Sequence, residues 1–273
     1  MSGLLSLFTG AAGITDPILS ALYGSSASGG NPVQALQIAQ QKQTQDVAQV
    51  AAQPAIARDI AAFTQGVNSA TSPAQLLANP AVMKVLLTAS GMSDQIGFTA
   101  LASQALLSDP SNTASLVNQL SDTRWKTVNQ TYNFATQGLS VIQTPSVIAT
   151  ITDNYAQQTW LNSLNTTTPG LSNALSFLSS ASTITSVDQI LGDPTMRSVV
   201  TTALNIPLQI AFQDLTAQGL AITSQIDISR FSDPKFVQTI TDQYLLNMQQ
   251  QAATTQTAPS MDSLAIQAAG IVA

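Results

Sequence analysis

The chain of 273 residues contains no cysteine and no histidine, and its 14 acidic residues are all aspartate. Without thiols or imidazoles, zinc-finger, haem, iron–sulfur and disulfide sites lack their usual ligands, and a Ser-His-Asp triad has no base. General acid–base chemistry would have to use Asp, Lys or Tyr. We therefore expect a protein that is not an enzyme, with no catalytic, cofactor-binding or metal-binding residue to assign. A hydrolase that relies on a Ser–Lys pair or on two Asp residues stays open as an alternative.

Charge is scarce as well. Charged residues make up 8% of the chain and the formal net charge is −6, whereas roughly 25% charged residues is usual for a globular protein. The few basic residues are scattered, and phosphate binding needs basic clusters, so we expect no nucleic-acid partner. The basic residues are Lys42, Arg58, Lys84, Arg124, Lys126, Arg197, Arg230 and Lys235.

Neutral polar residues take the place of the missing charges. The chain contains 30 Gln and many Ser, Thr and Asn residues, while 44% of its residues are hydrophobic. This composition allows a sizeable core behind a hydrogen-bonding, uncharged surface. It does not match intrinsic disorder, which goes with low hydrophobicity and high net charge.

The two ends of the chain differ from the middle. No Lys or Arg precedes Lys42, so a cleavable secretion signal would lack its positively charged start. The apolar stretch 4–14 is too short to span a bilayer, and we expect no integral membrane segment. Residues 24–30 are rich in Gly and Ser, as in flexible linkers, and the C-terminal end has a similar small, polar character. We predict flexible segments at 1–31 and 252–273.

Between these ends the chain repeats itself. Residues 59–106 align with 173–220 without a gap at an offset of 114, and 15 of the 48 positions are identical. A repeat of this length is a duplicated module rather than a solenoid unit. We predict two pseudo-equivalent modules, 32–140 and 145–251. The identical pairs include Phe63/Phe177, Gln75/Gln189, Pro80/Pro194, Gln95/Gln209, Ile96/Ile210, Phe98/Phe212 and Leu101/Leu215.

Both copies have helical patterns, and the prediction is an all-α fold. Asn79-Pro80 and Asp193-Pro194 each combine a capping side chain with a proline at the first helical position. Apolar residues then follow at spacings of three and four. No long stretch alternates apolar and polar residues, although 141–151 is rich in β-branched residues. We expect Pro80 to superpose on Pro194 and Phe98 on Phe212, with both phenylalanines buried.

Several segments resemble a bacterial family known as domain of unknown function 1217. The resemblance covers most of 55–140, with a weaker echo at 170–250, where Lys235-Phe236 replaces Arg124-Trp125 and Gln243 replaces Tyr132. Members of this family are often encoded near flagellar genes, and the family brings no established catalytic residues. The segments are Leu76-Leu77-Ala78-Asn79-Pro80, Leu86-Leu87-Thr88-Ala89, Ala105-Leu106-Leu107-Ser108-Asp109-Pro110, Leu120-Ser121-Asp122-Thr123-Arg124-Trp125 and Tyr132-Asn133-Phe134.

The resemblance implies a non-enzymatic structural or assembly protein of the flagellum that acts by protein–protein contacts through helical faces. Its partners would be proteins, flagellar components among them, and self-association stays open. The location would be the flagellum or the cell exterior, reached without cleavage of a signal. The composition is compatible with this role, because exported flagellar subunits tend to lack Cys and to be rich in Ala, Gln, Asn, Ser and Thr. A cytoplasmic helical adaptor or export chaperone is the alternative.

A few residues invite a chemical interpretation, and for each the structural interpretation is favoured. Asp122 with Arg124, and Asp233 with Lys235, follow Ser at predicted helix starts, where an Asp stabilises the cap and the helix dipole. A third group consists of Asp227, Arg230 and Asp233. It lacks the residue spacing of a calcium-binding loop, and we expect it to be a surface charge cluster. Four aromatic residues are expected to be large core side chains rather than a stacking platform. These are Trp125, Trp160, Tyr132 and Tyr155.

Overall fold

A computed structural model describes residues 31–257, and all regular structure in this range is helical. This confirms the predicted all-α fold. The segment 141–151 contains a turn and the first residues of α9, and not a strand. The α-helices are α1 (Pro32–Ala51), α2 (Pro54–Ser69), α3 (Pro73–Leu77), α4 (Pro80–Ala89), α5 (Thr99–Leu107), α6 (Leu116–Gln119), α7 (Arg124–Tyr132), α8 (Phe134–Gln137), α9 (Pro145–Leu164), α10 (Leu171–Ser180), α11 (Val187–Gly192), α12 (Pro194–Ala203), α13 (Leu215–Thr223) and α14 (Pro234–Thr257). The 3-10 turns are Ser93–Gln95, Ala181–Thr183, Leu208–Phe212 and Ile228–Ser232.

The helix starts follow from short-range capping. The Asn79 side chain accepts the backbone N–H of Ala81 at 2.9 Å, and Pro80 begins α4. The Asp193 carboxylate accepts the N–H of Thr195 at 2.8 Å, and Pro194 begins α12. In both cases the cap satisfies a backbone donor that the first helical turn leaves without a partner. The two helix starts predicted from these Asn-Pro and Asp-Pro pairs are confirmed.

Local structure recurs at the predicted offset. Helices α3 and α11 begin 114 residues apart, and so do α4 and α12, which have the same length. Before α3 and α11 the same cap is built twice, because Gln75 and Gln189 each receive the backbone N–H of a preceding threonine, at 2.9 and 2.7 Å. Identical residues therefore make identical local contacts in the two halves.

One continuous cluster of buried side chains runs through the described residues. Helix α9 packs along α4 and α1, and α14 packs along α12. Helix α1 also contacts α10 and α14, so it joins the two halves. The sequence analysis assigned α9 to the second module, but its most extensive contacts are with α4 of the first.

A second offset links α9 to α14. These helices begin at Pro145 and Pro234, 89 residues apart, and they share Thr-Ile-Thr-Asp-X-Tyr over 150–155 and 239–244. The offset falls from 114 to 89 because 38 residues separate Leu106 from Pro145 in the first half, whereas 13 separate the aligned Leu220 from Pro234 in the second. The extra residues contribute to α6, α7 and α8. Helix α9 therefore packs on α4 in the first half as α14 packs on α12 in the second.

The predicted flexible segments lie almost wholly outside the described residues. In the C-terminal segment predicted to begin at 252, residues 252–257 continue α14, which ends at Thr257. Every helix within 31–257 is too short or too polar to cross a bilayer.

Candidate functional site: exposed apolar segments after α4 and α12

Arg124 forms the densest polar cluster in the described part of the chain. Its Nη2 lies 2.9 Å from Asp94 and 2.7 Å from Asp122, and its Nη1 donates to the carbonyl of Gly91 at 2.7 Å. With Nε on Asp122 and Nη1 also on Asp94, all five N–H groups are used. The cluster ties the turn after α4 to the start of α7, and it leaves the guanidinium no donor for a phosphate.

Opposing effects determine the charge states in this cluster. Burial disfavours the charged form of Arg124, but the hydrogen bonds to Asp122 and Asp94 and their negative charges outweigh it and raise the pKa of the guanidinium. Burial would also raise the pKa of Asp94, but hydrogen bonds from Arg124 and Gln95 and the positive charge lower it below the ordinary value. Asp94 and Asp122 each contact the same guanidinium, an arrangement that differs from a catalytic aspartate pair.

The other charged residues named from the sequence act mainly as caps. Asp233 accepts the N–H of Lys235 at 2.9 Å, and Asp227 accepts that of Ser229 at 2.9 Å, as the capping interpretation predicted for Asp233. Arg230 lies 4.2 Å from the centre of the Phe236 ring, in a cation–π contact. Asp122 makes the same contact as Asp233, because it accepts the backbone N–H of Arg124 at 3.0 Å, although Thr123 holds the N-cap position of α7.

Among the described residues there is no group of three or more Asp side chains that could hold a metal ion. Trp125, Trp160, Tyr132 and Tyr155 are all buried, which confirms their prediction as core side chains. A polar cavity of about 340 Å³ lies between α7, α9, α10 and α12, and Arg124 is its only basic lining residue. Because Arg124 has no free donor, this cavity presents mainly neutral hydroxyl and amide groups.

Sequence analysis missed two tyrosine contacts, one in each half. The Tyr155 hydroxyl donates to Asp59 at 2.6 Å, and Lys84 lies 2.7 Å from the same carboxylate oxygen. In the second half, Asn173 lies 3.3 Å from the hydroxyl of Tyr244. The sequence contained a signal for these contacts, because Asp59 and Asn173 are the first pair in the alignment at an offset of 114. The tyrosines follow the other offset of 89, which the alignment did not find.

The prediction that Phe98 and Phe212 are buried is wrong. Phe98 is 59% exposed and Phe212 is 91% exposed. Ile96 and Ile210, two residues earlier, pack against the core. In a tight turn of about three residues, side chains two positions apart point in different directions, so the isoleucine and the phenylalanine cannot both face inward. Both halves therefore present a phenylalanine to solvent at the same aligned position.

The second half exposes more apolar surface at this place. Leu208, Leu215 and Leu220 are 83%, 68% and 63% exposed. In the first half, α5 packs against α6, α7 and α8, and Leu106 is fully buried. Helix α13 contacts α11 and the 3-10 turn 208–212, and Leu220, aligned with Leu106, stays exposed. Within the described residues, the second half has no counterpart of the helices that cover α5.

A cavity of about 240 Å³ opens beside this surface. Its lining is mostly apolar and also includes the polar or charged residues Arg197, Thr201 and Gln218. The apolar lining residues are Leu191, Pro194, Ile206, Pro207, Leu208, Ile210 and Ala211.

Comparison with known proteins places the chain in a family. The family model described as "Protein of unknown function (DUF1217)" matches residues 89–237, which is more than half of the chain. The chain belongs to the DUF1217 family. The resemblance found in the sequence is thereby confirmed, although the match begins at 89 and runs across both halves instead of following 55–140.

A solved structure has a fold similar to that of this chain. The crystal structure of a protein from Agrobacterium tumefaciens, a structural genomics target, has a TM-score of 0.69 to this chain at 24% sequence identity. The likeness covers 80% of this chain and 93% of that one, and at this identity it shows the fold alone. No curated protein matches the chain.

The region matched by the DUF1217 model contains the features described above. It includes Arg124 with both of its carboxylate partners, helices α5 to α8, and the exposed Phe98 and Phe212. Asp59 and Lys84, which form the charged contact with Tyr155, lie before the match.

Proposed function

We propose that this protein is a non-enzymatic structural or assembly protein that acts through protein–protein contacts. The observation that carries the proposal is the exposure of Phe98 and Phe212 at aligned positions in the two halves. Large apolar side chains grouped on a surface mark interaction sites, because leaving them in water is unfavourable. The neutral Gln, Ser and Thr residues of this chain would supply the polar rim of such an interface.

The charged groups favour this function over a chemical one. Arg124 is saturated by Asp94, Asp122 and a backbone carbonyl, and Lys84 is paired with Asp59. Each cluster connects separate helices and turns, which is a structural role.

We propose an association with the flagellum, which rests on the family and on the composition. A component exported to the filament should be recovered in sheared filaments or in culture supernatant, and deletion of residues 1–30 should retain it in the cell. A protein found only in the cytoplasm, in cells that stay motile after deletion of the gene, would contradict the flagellar role. Cytoplasmic location with loss of motility would instead support an adaptor or export chaperone that uses the same apolar segments.

We also propose that the two halves arose by internal duplication. The first copy would consist of α2 to α5 with α9, and the second of α10 to α14, with the additional residues of α6 to α8 between α5 and α9. Support comes from the 114-residue offset, from the shared 150–155 and 239–244 motif, and from the matching tyrosine contacts. This division joins α9 to the first half, in agreement with its packing on α4.

The tyrosine contacts offer a test of this equivalence. Ser198, which bonds to Tyr244, aligns with Lys84, and Asn173 aligns with Asp59. The double change Asp59→Asn with Lys84→Ser would give the first half the polar groups of the second. We expect it to reduce the free energy of unfolding by less than about 1 kcal/mol, because Lys84 is half exposed and surface ion pairs contribute little.

The matched control is Asp59→Ala, which leaves the buried Tyr155 hydroxyl without its acceptor and should cost about 1–3 kcal/mol. Urea unfolding of the two variants measures the difference. If the double variant is as unstable as Asp59→Ala, the two sets of polar groups are not interchangeable and the proposed equivalence loses its support.

A further inference from the structure

The surface after α12 carries a protruding aromatic side chain next to an open cavity. Phe212 is among the most exposed large apolar residues in the described part of the chain, and it ends the turn 208–212. Leu208 and Ala211 of the same turn line the cavity of about 240 Å³. An apolar cavity of 150 Å³ is sufficient to admit benzene, so a phenyl ring can enter this one.

Aligned positions explain why the second half is open here. Leu87 and Met83, which are buried in the first half, are replaced by Thr201 and Arg197 on α12. The smaller or more polar residues leave space and tolerate water on that side of the cavity. Asp94, which is bound by Arg124 in the first half, is replaced by the exposed Leu208. At this aligned position, the first half has an Asp in an ion pair with Arg124, whereas the second half has an exposed leucine.

We infer that two copies of this chain associate symmetrically through this face, with Phe212 of each copy inserted in the cavity of the other. The inference rests on the proposed function, since it names the partner of one of its apolar segments. A two-fold axis requires a self-complementary surface, and a protruding side chain beside a cavity of matching size provides one.

The exposed area is sufficient for such a dimer. Leu208, Phe212 and Leu215 present roughly 500 Å² at about 200 Å² for a fully exposed side chain of this size. Two copies would together bury about 1,000 Å², the lower limit for a specific interface. The roughly 500 Å² exposed on one copy is close to the largest apolar patch that a monomer normally exposes. A reversible dimer is therefore expected rather than an obligate one.

Charge does not oppose the association. Arg197 is the only charged residue that lines the cavity, and its Nη1 donates to the carbonyl of Leu191 at 3.1 Å. Asp214, at the start of α13, supplies a nearby negative charge. A face that carries charges of both signs can meet its own copy without strong repulsion.

Light scattering coupled to size-exclusion chromatography tests the inference on the full chain at about 100 µM, a concentration suited to a micromolar dimer. The wild-type protein should have the mass of a dimer. Phe212→Ser, which removes the inserted side chain, and Thr201→Phe, which fills the cavity, should both have the mass of a monomer. Both positions are accessible to solvent, and circular dichroism should show unchanged helix content.

The matched control is Phe98→Ser, the same change at the aligned position of the first half, and it should stay dimeric. A monomeric wild type would overturn the inference, as would a Phe212→Ser or Thr201→Phe protein that remains dimeric. A dimer lost on Phe98→Ser would place the interface elsewhere and would also overturn it. None of these outcomes decides the proposed function, which is tested by the location of the protein in the cell and by motility.

Discussion

At the scale of single residues, Arg124 is the charged group that we expect to contribute most to stability. Its side chain is only 12% exposed, and removing it would leave Asp122 Oδ2 and the carbonyl of Gly91 without a donor, while Asp122 Oδ1 would keep the backbone N–H of residue 124. We expect Arg124→Ala to lower the free energy of unfolding by about 2–4 kcal/mol, less than for a fully buried pair because Asp94 is half exposed. Arg124→Lys should recover less than half of this, since an ammonium cannot make the bidentate contacts.

Lys235 offers a control for this measurement, because its backbone N–H is also accepted by an Asp two positions earlier, while its side chain is exposed. Lys235→Ala should change the unfolding midpoint in urea by an amount equivalent to no more than about 0.5 kcal/mol. Equal losses for Arg124→Ala and Lys235→Ala would show that the Arg124 contacts contribute no net stability.

The buried tyrosines make a separate prediction about pH. Burial raises the pKa of Tyr132 to about 12, and burial together with Asp59 raises the pKa of Tyr155. Their stabilising contribution is complete below about pH 9, where unfolded tyrosine is still protonated, and is lost as pH rises through 10 towards the folded pKa. The free energy of unfolding should therefore fall between pH 9 and pH 11, with about 1 kcal/mol of the loss at pH 11 due to Tyr132.

Urea unfolding at pH 9, 10 and 11 measures this loss, and Tyr132→Phe should make it shallower. A Tyr132→Phe protein with the same pH dependence as the wild type would show that Tyr132 does not titrate differently in the folded state.

At the scale of helices, two glycines distinguish close packing from ordinary contact. A Cβ at Gly66 in α2 would lie 2.6 Å from Val82 Cγ2 and 2.9 Å from Asn79 Nδ2, so α2 and α4 would have to separate. A Cβ at Gly219 in α13 would meet Val187 no closer than 3.4 Å. We expect Gly66→Ala to destabilise by about 1–3 kcal/mol despite the better helix propensity of Ala.

Gly219→Ala should instead be neutral or stabilise by up to about 1 kcal/mol, because nothing offsets the gain in helix propensity. Thermal or urea unfolding of the two variants gives the comparison. Stabilisation by Gly66→Ala would mean that α2 and α4 can move apart at little cost.

At the scale of the whole molecule, the two halves should unfold together. The core is one continuous cluster, α9 packs on both α1 and α4, and α1 reaches α10 and α14. We expect a single thermal transition with equal calorimetric and van't Hoff enthalpies. A fragment that ends at residue 144 lacks α9 and α14 and should not fold. Two separate transitions, or a folded fragment, would mean that the halves are independent domains.

The amino-acid sequence was sufficient to predict the starts of α4 and α12 and the large core side chains. A cap depends on residues within about four positions, so Asn79-Pro80 and Asp193-Pro194 could be recognised without knowledge of the fold. Trp125 and Trp160 are large enough that the core requires them wherever the helices lie. The family relationship also followed from local motifs.

Which apolar residues face solvent, and which helix completes each half, follows from the packing of distant segments and could not be predicted from the sequence. Leu106 and Leu220 are aligned, yet one is buried and the other exposed, because α6 to α8 cover α5 and nothing equivalent covers α13 within the described residues. The partners of Arg124 at position 94 and of Tyr155 at position 59 are 30 and 96 residues away in the chain. Burial depends on whether distant segments return to cover a residue, and no short-range pattern contains that information.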